Sequence, residues 1–327
     1  MNVLISIQQP VRAWQIPFEG VETLRARFPA LTFHHATDDA ARATALVECD
    51  VAYTWMLSAA ELETAPRLKW VHTSAVAVET LALPELFARD VVVSNSRGVQ
   101  STPIAEHVFA VLLALAKQIP YVVDQQRARR WAQNDFFGSR LPWLLKGRTL
   151  GLIGVGTIGS EIARLATAFG MNVVALRRRV DGSRVPGVGS LLPVSELDTL
   201  LRQSDVLVIA APLTPQTLNM IGAPQMAHMK PGAVLINVGR AKIVDHVALA
   251  DALHAGHLGG ASLDVFHQEP LPADDPLWAA PNTILTPHTS GFRQGHWEEV
   301  IELFADNLSR FMRGDPVRFR VEPTLGY

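Results

Sequence analysis

Short apolar runs alternate along the chain with stretches whose apolar positions recur every three to four residues, a pattern of strands followed by helices. Over the first part of the chain, NVLISI, LTFHH, VAYTW, WVHTSA and VVVSN read as strands, with helices between them over 21–28, 38–48, 59–65 and 81–88. That alternation predicts a parallel, doubly wound sheet of about five strands. A long helix follows over 101–117, apolar from Ile104 to Ala116 and opened by Thr102-Pro103. A helix this apolar is expected to be buried between domains or against a second subunit. A second series begins at Thr149, with strands over 149–153, 173–176, 206–210, 233–238, 261–265 and 283–286 and helices over 194–202, 224–228 and 247–255. A last helix over 297–312 carries Val300, Ile301, Phe304, Leu308 and Phe311 at helical spacing and is expected to return to the first domain. The predicted organisation is one domain of residues 1–99 and 291–327 and another of residues 100–290.

The second series differs from the first at its opening turn. Gly154-Val155-Gly156-Thr157-Ile158-Gly159 separates a strand from a helix with Ile162, Leu165, Ala166 and Phe169 on one face. Strand, glycine-rich turn, helix and strand at this spacing form a dinucleotide fingerprint. Gly154 permits the tight turn, Gly156 lets backbone approach a pyrophosphate, and Gly159 lets the helix pack closely on the sheet. The diphosphate then meets the unpaired N–H groups of the first helical turn, at Thr157 and Ile158, where the helix dipole is positive. No such turn follows the first strand of the chain, so the first domain is not expected to hold the nucleotide.

The end of the next strand chooses between cofactors. An acidic residue there would accept from a ribose 2′-hydroxyl, but this chain has Arg177, Arg178 and Arg179. Guanidinium groups bind a 2′-phosphate through charge-assisted forks, so Arg177 and Arg178 are read as its clamp, and NADPH is expected over NADH.

Composition narrows the setting. The chain has 327 residues, enough for two domains, with 48% apolar and 18% charged residues. A net charge of −2 gives no footprint for nucleic acid and no polybasic membrane patch. The single cysteine, Cys49, excludes an internal disulfide and a cysteine-rich metal site, and no metal is expected. The apolar run after Met1 ends before Gln8, short of a secretory core, and no stretch approaches a membrane span, so a cytoplasmic protein is expected. Residues 118–146 mix Trp131, Phe136, Phe137 and Trp143 with Arg127, Arg129 and Arg130, which reads as an arm packing on a partner in a homodimer.

The second-series strands end in PLTPQT, NVGRA, DVFHQEP and TPHTSG, and ligands of open α/β sheets lie beyond such carboxyl ends. Pro212 and Thr217, in the first of these, are cofactor-side candidates. Arg240, Glu269 and His288, in the other three, together suit hydride transfer to a carbonyl. His288 would give the oxygen its proton, Glu269 would orient the imidazole and favour its charged form, and Arg240 would grip a neighbouring carboxylate and polarise the oxo group. Asp264 could accept from the nicotinamide carboxamide. Trp55, Met56 and Leu57 end a strand of the first domain, and their bulk would limit a pocket there to a small ligand. Arg293 and His296 could extend specificity.

GVGTIG, NVGRA, LDVFHQEP and TPHTSG, with STPIAEHVFAVLLAL ahead of them, resemble in order and spacing the D-isomer specific 2-hydroxyacid dehydrogenase family over nearly the whole chain. The resemblance implies a Rossmann dinucleotide-binding domain plus a flavodoxin-like substrate domain, with the active site in the cleft between them. It implies catalytic roles for Arg240, Glu269 and His288, and backbone donors to the substrate carboxylate from Ser74-Ala75-Val76-Ala77, notably Val76 and Ala77. Many members have glycine and then aspartate or asparagine in that loop, and NAD-dependent members usually have aspartate where Arg177 stands. This makes the chain more similar to NADPH-dependent glyoxylate/hydroxypyruvate reductases, with NAD as the second cofactor. Pro287 stands where formate dehydrogenases of the family place glutamine, against that activity. The alternatives are a nucleotide-sensing binding protein like the corepressors that resemble this family, and an S-adenosylhomocysteine hydrolase-like protein. The short first domain and the Arg/Glu/His set argue against the latter.

Overall fold

The computed structural model describes residues 1–81, 83–178, 182 and 184–322. The chain forms two compact units, Met1–Gln100 with Phe292–Tyr327, and Ser101–Gly291.

The first unit opens with β1 (Asn2–Ser6), α1 (Phe18–Arg27), β2 (Thr32–His35), α2 (Asp39–Glu48), β3 (Val51–Thr54), α3 (Ala59–Glu63), β4 (Trp70–Thr73), α4 (Leu83–Ala88) and β5 (Val92–Asn95). The strands are all parallel, in the order β2-β1-β3-β4-β5. This is the flavodoxin-like doubly wound order. Side chains alternate between two cores because successive strand residues point to opposite faces. Leu4, Ala52, Val71 and Val93 pack with Leu46, Leu62 and Leu86 on one side. Val3, Ile5, Val51, Tyr53 and Trp70 pack with Val21 and Leu24 on the other. Local chemistry starts the helices: Asp38 accepts from the Ala41 amide at 2.8 Å, and Ser58 and Glu61 close a capping box.

The second unit contains α5 (Ser101–Ala116), α6 (Ile119–Arg127), β6 (Thr149–Ile153), α7 (Thr157–Ala168), β7 (Asn172–Leu176), β8 (Ser190–Leu192), α8 (Leu197–Gln203), β9 (Val206–Ile209), α9 (Ala223–His228), β10 (Val234–Asn237), α10 (His246–His254), β11 (Gly260–Leu263) and β12 (Thr283–Leu285). Its seven parallel strands run β12-β11-β10-β9-β6-β7-β8, the dinucleotide-binding order extended by one strand, with the reversal between β6 and β9. Ile153, Leu207, Ile209 and Leu235 face Leu200, Met226 and Leu249. Leu150, Leu152, Val208 and Ile236 face Ile104, Val108, Leu112 and Ile162. The apolar stripe of α5 is therefore covered by its own unit's sheet and α7, where the sequence pattern had suggested a neighbouring domain or subunit. The α6 helix lies in the stretch read from sequence as an arm packing on a partner, and β8 was not anticipated.

The final helix among the described residues is α11 (His296–Arg313), stopped by Gly314 in a left-handed conformation at φ 75°. It belongs to the first unit, where Phe304 is fully buried and stacks on Tyr53 at 4.1 Å. No single helix among the described residues is long and apolar enough to cross a membrane.

Candidate active site

Each glycine of the turn after β6 has a distinct environment. Gly154 has φ +96°, and a Cβ there would lie 2.8 Å from the Ala211 Cα at the end of β9. A Cβ on Gly159 would lie 2.1 Å from the Gly154 carbonyl oxygen, so the helix can sit this close to the turn only without a side chain. A Cβ on Gly156 would meet nothing within 4 Å. No side chain caps α7, whereas Asp245 caps α10 through the Val247 and Ala248 amides. Uncapped amides at Thr157 and Ile158 beside open space at Gly156 fit a diphosphate. Arg177 and Arg178 directly follow β7, the first half-buried with its amide donating to the Leu192 carbonyl at 3.0 Å, the second exposed. Arg179 lies outside the described residues. Across the strand-order reversal, Thr217 Oγ1 donates to the Pro212 carbonyl at 2.8 Å and accepts from the Thr214 amide at 2.8 Å, which folds the loop after β9 back on itself.

Arg240, Glu269 and His288 stand in the loops after β10, β11 and β12. Glu269 Oε2 lies 2.8 Å from His288 Nδ1, and its Oε1 accepts from the Phe266 amide at 2.9 Å. A carboxylate only accepts, so Nδ1 carries the hydrogen and Nε2 is the nitrogen that exchanges a proton. The hydrogen bond to Glu269 holds the imidazole pKa above its ordinary value, overcoming burial and the opposing charge of Arg240. Burial pushes the Glu269 carboxyl up, but the His288 bond, the Phe266 amide and the charges of His288 and Arg240 bring it below the ordinary carboxylate range. Asn237 holds the Arg240 loop by donating to the Arg240 carbonyl at 3.1 Å and accepting from the Gly239 amide at 3.0 Å.

His288 has φ 55°, a left-handed conformation that ordinary side chains adopt at a cost. Asp264 supports it. This carboxylate, 1% exposed, accepts from the Thr286 hydroxyl at 2.6 Å, the Thr289 amide at 2.9 Å and the Ser290 amide at 3.0 Å. The residue expected to face the nicotinamide thus directs three of its roughly four acceptor positions to the turn that carries the histidine. Sequence reasoning overlooked His267, whose Nε2 lies 3.2 Å from the Ala241 carbonyl and 3.1 Å from that of Val244, tying the arginine loop to the glutamate loop. Its place in DVFHQEP was the available signal.

In the first unit, Trp55 follows β3, partly buried and 6.4 Å from Trp14, which also meets Phe292 and His296 edge-on. The loop after β4 is pinned by the Asn95 side chain, which donates to the Val76 carbonyl at 2.8 Å, and by the Ser96 amide, which donates to that of Ala75 at 2.9 Å. The Val76 and Ala77 amides have no acceptor among the described residues. Beneath the loop runs a chain of side chains. Trp70 donates to Ser94 Oγ at 2.9 Å, Ser94 to His72 Nδ1 at 2.7 Å, His72 Nε2 to Ser96 Oγ at 3.3 Å, and Ser96 to the Thr73 carbonyl at 3.0 Å.

A parallel sheet of the second unit's connectivity, with that turn at its reversal, defines the class as dinucleotide-binding proteins. Residues 109–290 match the family model described as D-isomer specific 2-hydroxyacid dehydrogenase, NAD binding domain. A glyoxylate reductase of Korarchaeum cryptofilum is 36% identical over 273 residues, 82% of this chain and 81% of that protein. A D-isomer specific 2-hydroxyacid dehydrogenase family protein from Aeromonas salmonicida superposes with a TM-score of 0.82 at 33% identity, covering 98% of each chain. A D-isomer specific 2-hydroxyacid dehydrogenase from Xanthobacter autotrophicus, solved with NADPH and MES, superposes at 0.83 with 28% identity over 99% of each. The chain belongs to the D-isomer specific 2-hydroxyacid dehydrogenase family.

Proposed function

We propose that this enzyme reduces small 2-oxoacids to D-2-hydroxyacids with NADPH in preference to NADH, and that His288 provides the proton. The observation that carries this reading is the imidazole held by Glu269, whose raised pKa extends its protonated form to higher pH. From Nε2 it donates to the carbonyl oxygen of the substrate, and in the oxidative direction the neutral ring takes the hydroxyl proton back. Arg240 forks onto the adjacent carboxylate and polarises the oxo group. The Val76 and Ala77 amides are two further carboxylate donors, and Trp55 bounds the substrate side chain, favouring glyoxylate, hydroxypyruvate or pyruvate. Residues 1–99 and 291–327 take the substrate role and 100–290 the nucleotide role. Gly154, Gly156, Thr157, Ile158 and Gly159 receive the diphosphate, and Pro212, Thr217 and Asp264 serve the cofactor side. Arg177 and Arg178 engage the 2′-phosphate, a reading supported by the NADPH in the Xanthobacter relative. Bound NADPH supplies the hydride.

The enzyme works as a homodimer through the segment that carries Trp131 and Phe137, 88% and 85% exposed, and Leu141 and Leu144, 56% and 67% exposed. A cluster this apolar calls for cover, and a second copy supplies it.

The test is cofactor oxidation with glyoxylate, hydroxypyruvate, pyruvate and longer 2-oxoacids, with NADPH and NADH in parallel. Turnover of the short acids with a higher kcat/KM for NADPH is expected. Absence of turnover with every acid would overturn the reductase assignment, and equal kcat/KM for the cofactors would overturn the preference.

A further inference from the structure

The turn that carries His288 is held by groups on two other segments, the loop after β11 and, outermost, α5. His107 Nε2 is 3.3 Å from Thr286 Oγ1, across 179 positions of sequence. A threonine hydroxyl has one hydrogen, and here it goes to Asp264 Oδ1 at 2.6 Å, an atom that can only accept. The remaining bond therefore runs from His107 to Thr286, which makes His107 the tautomer with its hydrogen on Nε2. Burial depresses the His107 pKa, more than the nearby Asp264 charge raises it, so the ring is neutral and this tautomer is defined. Donation into Thr286 Oγ1 fixes the rotamer of that hydroxyl and strengthens its own donation to Asp264, as hydrogen bonds in series do. Asp264 in turn holds the Thr289 and Ser290 amides on the carboxyl side of His288, and the Thr286 carbonyl accepts from the His288 amide at 2.9 Å. The left-handed backbone at His288 is thereby gripped on both sides.

We propose that His107 is a positioning residue for the reaction: its Nε2–H sets Thr286 and Asp264 so that the 286–290 turn presents the His288 imidazole to Glu269. The proposal rests on the reading of His288 as proton donor, and its first test involves no turnover.

In the full-length protein at neutral pH, side-chain ¹⁵N NMR should show His107 protonated at Nε2 only. The His288 titration should then be followed in wild type, His107→Leu, which removes the donor, and His107→Gln, whose amide reaches a similar point. Leu should lower the His288 midpoint by about half a pH unit, and Gln should leave it near wild type. In assays, His107→Leu should cut kcat about 3–10-fold, the worth of one neutral hydrogen bond, with most of kcat regained in His107→Gln. Hydrogen at Nδ1 of His107, an unmoved His288 midpoint in the Leu variant, or equal losses in both variants would each overturn the proposal. Should His107→Leu fail to fold, the wild-type tautomer and Thr286→Val, expected to match the Leu variant, decide it. Normal turnover of a His288→Ala enzyme would instead remove the proton-donor reading and leave the NMR coupling standing.

Discussion

Glu269 Oε2 and His288 Nδ1 sit 2.8 Å apart, and this one bond decides which imidazole nitrogen carries the hydrogen when the ring is neutral. It joins the loop after β11 to the loop after β12, so the sheet itself sets the spacing of the pair. Replacing His288 with alanine should lower kcat for 2-oxoacid reduction by about 10²–10⁴-fold, the usual worth of a positioned acid. NADPH affinity, followed by fluorescence titration, should be unchanged.

The same bond fixes the direction of the pH profile. If His288 gives the proton as proposed, kcat/KM for a 2-oxoacid should be flat at low pH and fall as pH rises through a midpoint above the ordinary value of about 6.5. Oxidation of the hydroxyacid should show the opposite limb. Glu269→Gln should move both midpoints down, because burial and Arg240, which depress the pKa, would remain. The linked stability has the same sign: a histidine raised by folding stabilises fully below its unfolded pKa and loses that contribution as pH rises through the folded one. A reduction profile that rises with pH would contradict the assignment.

Gly156 and Gly159 should separate binding from folding. Gly156→Val places its Cβ in open space at an ordinary φ of −91°, so Tm should hold while NADPH Kd rises at least about tenfold. Gly159→Ala drives a methyl group into the Gly154 carbonyl and should cost about 1–3 kcal/mol of stability, visible as a lower Tm without ligand.

Much of this was written in the sequence, and the reasons differ by residue. Strands such as VLVI and VLIN are buried on both faces and so read as unbroken apolar runs, which made the parallel sheets legible. Arg240, Glu269 and His288 were legible because each lies in a short polar segment beyond the carboxyl end of a strand. The Thr286–His107 contact was not, since nothing local links residues 179 positions apart. Three-residue β8, with no residue fully buried, gives too little periodicity to register. The cover on α5 was misjudged because apolarity states that a helix is buried and is silent on what buries it.

Arg177→Asp tests the cofactor clamp. Exchanging a cation for an anion at the 2′-phosphate should shift the NADPH/NADH ratio of kcat/KM towards NADH by at least about tenfold, the worth of one charge-assisted bond. An unchanged ratio would take Arg177 out of the clamp.

Trp131→Glu with Phe137→Glu should yield a monomer by light scattering, with the circular dichroism of the parent retained, because both side chains face solvent in the isolated chain. Wild type that is already monomeric at micromolar concentration would remove the dimer from the proposal.

His72 gives the first unit a weakness unrelated to chemistry. Sealed in the core beneath the 74–77 loop, its ring is pushed by burial down to about 3. Below its ordinary value an unfolded chain takes up a proton that the folded one refuses, which erodes the fold by at most about 1.4 kcal/mol for each pH unit of acidification. Acid therefore favours the charged state of His288 while it withdraws stability from the unit built around the uncharged His72.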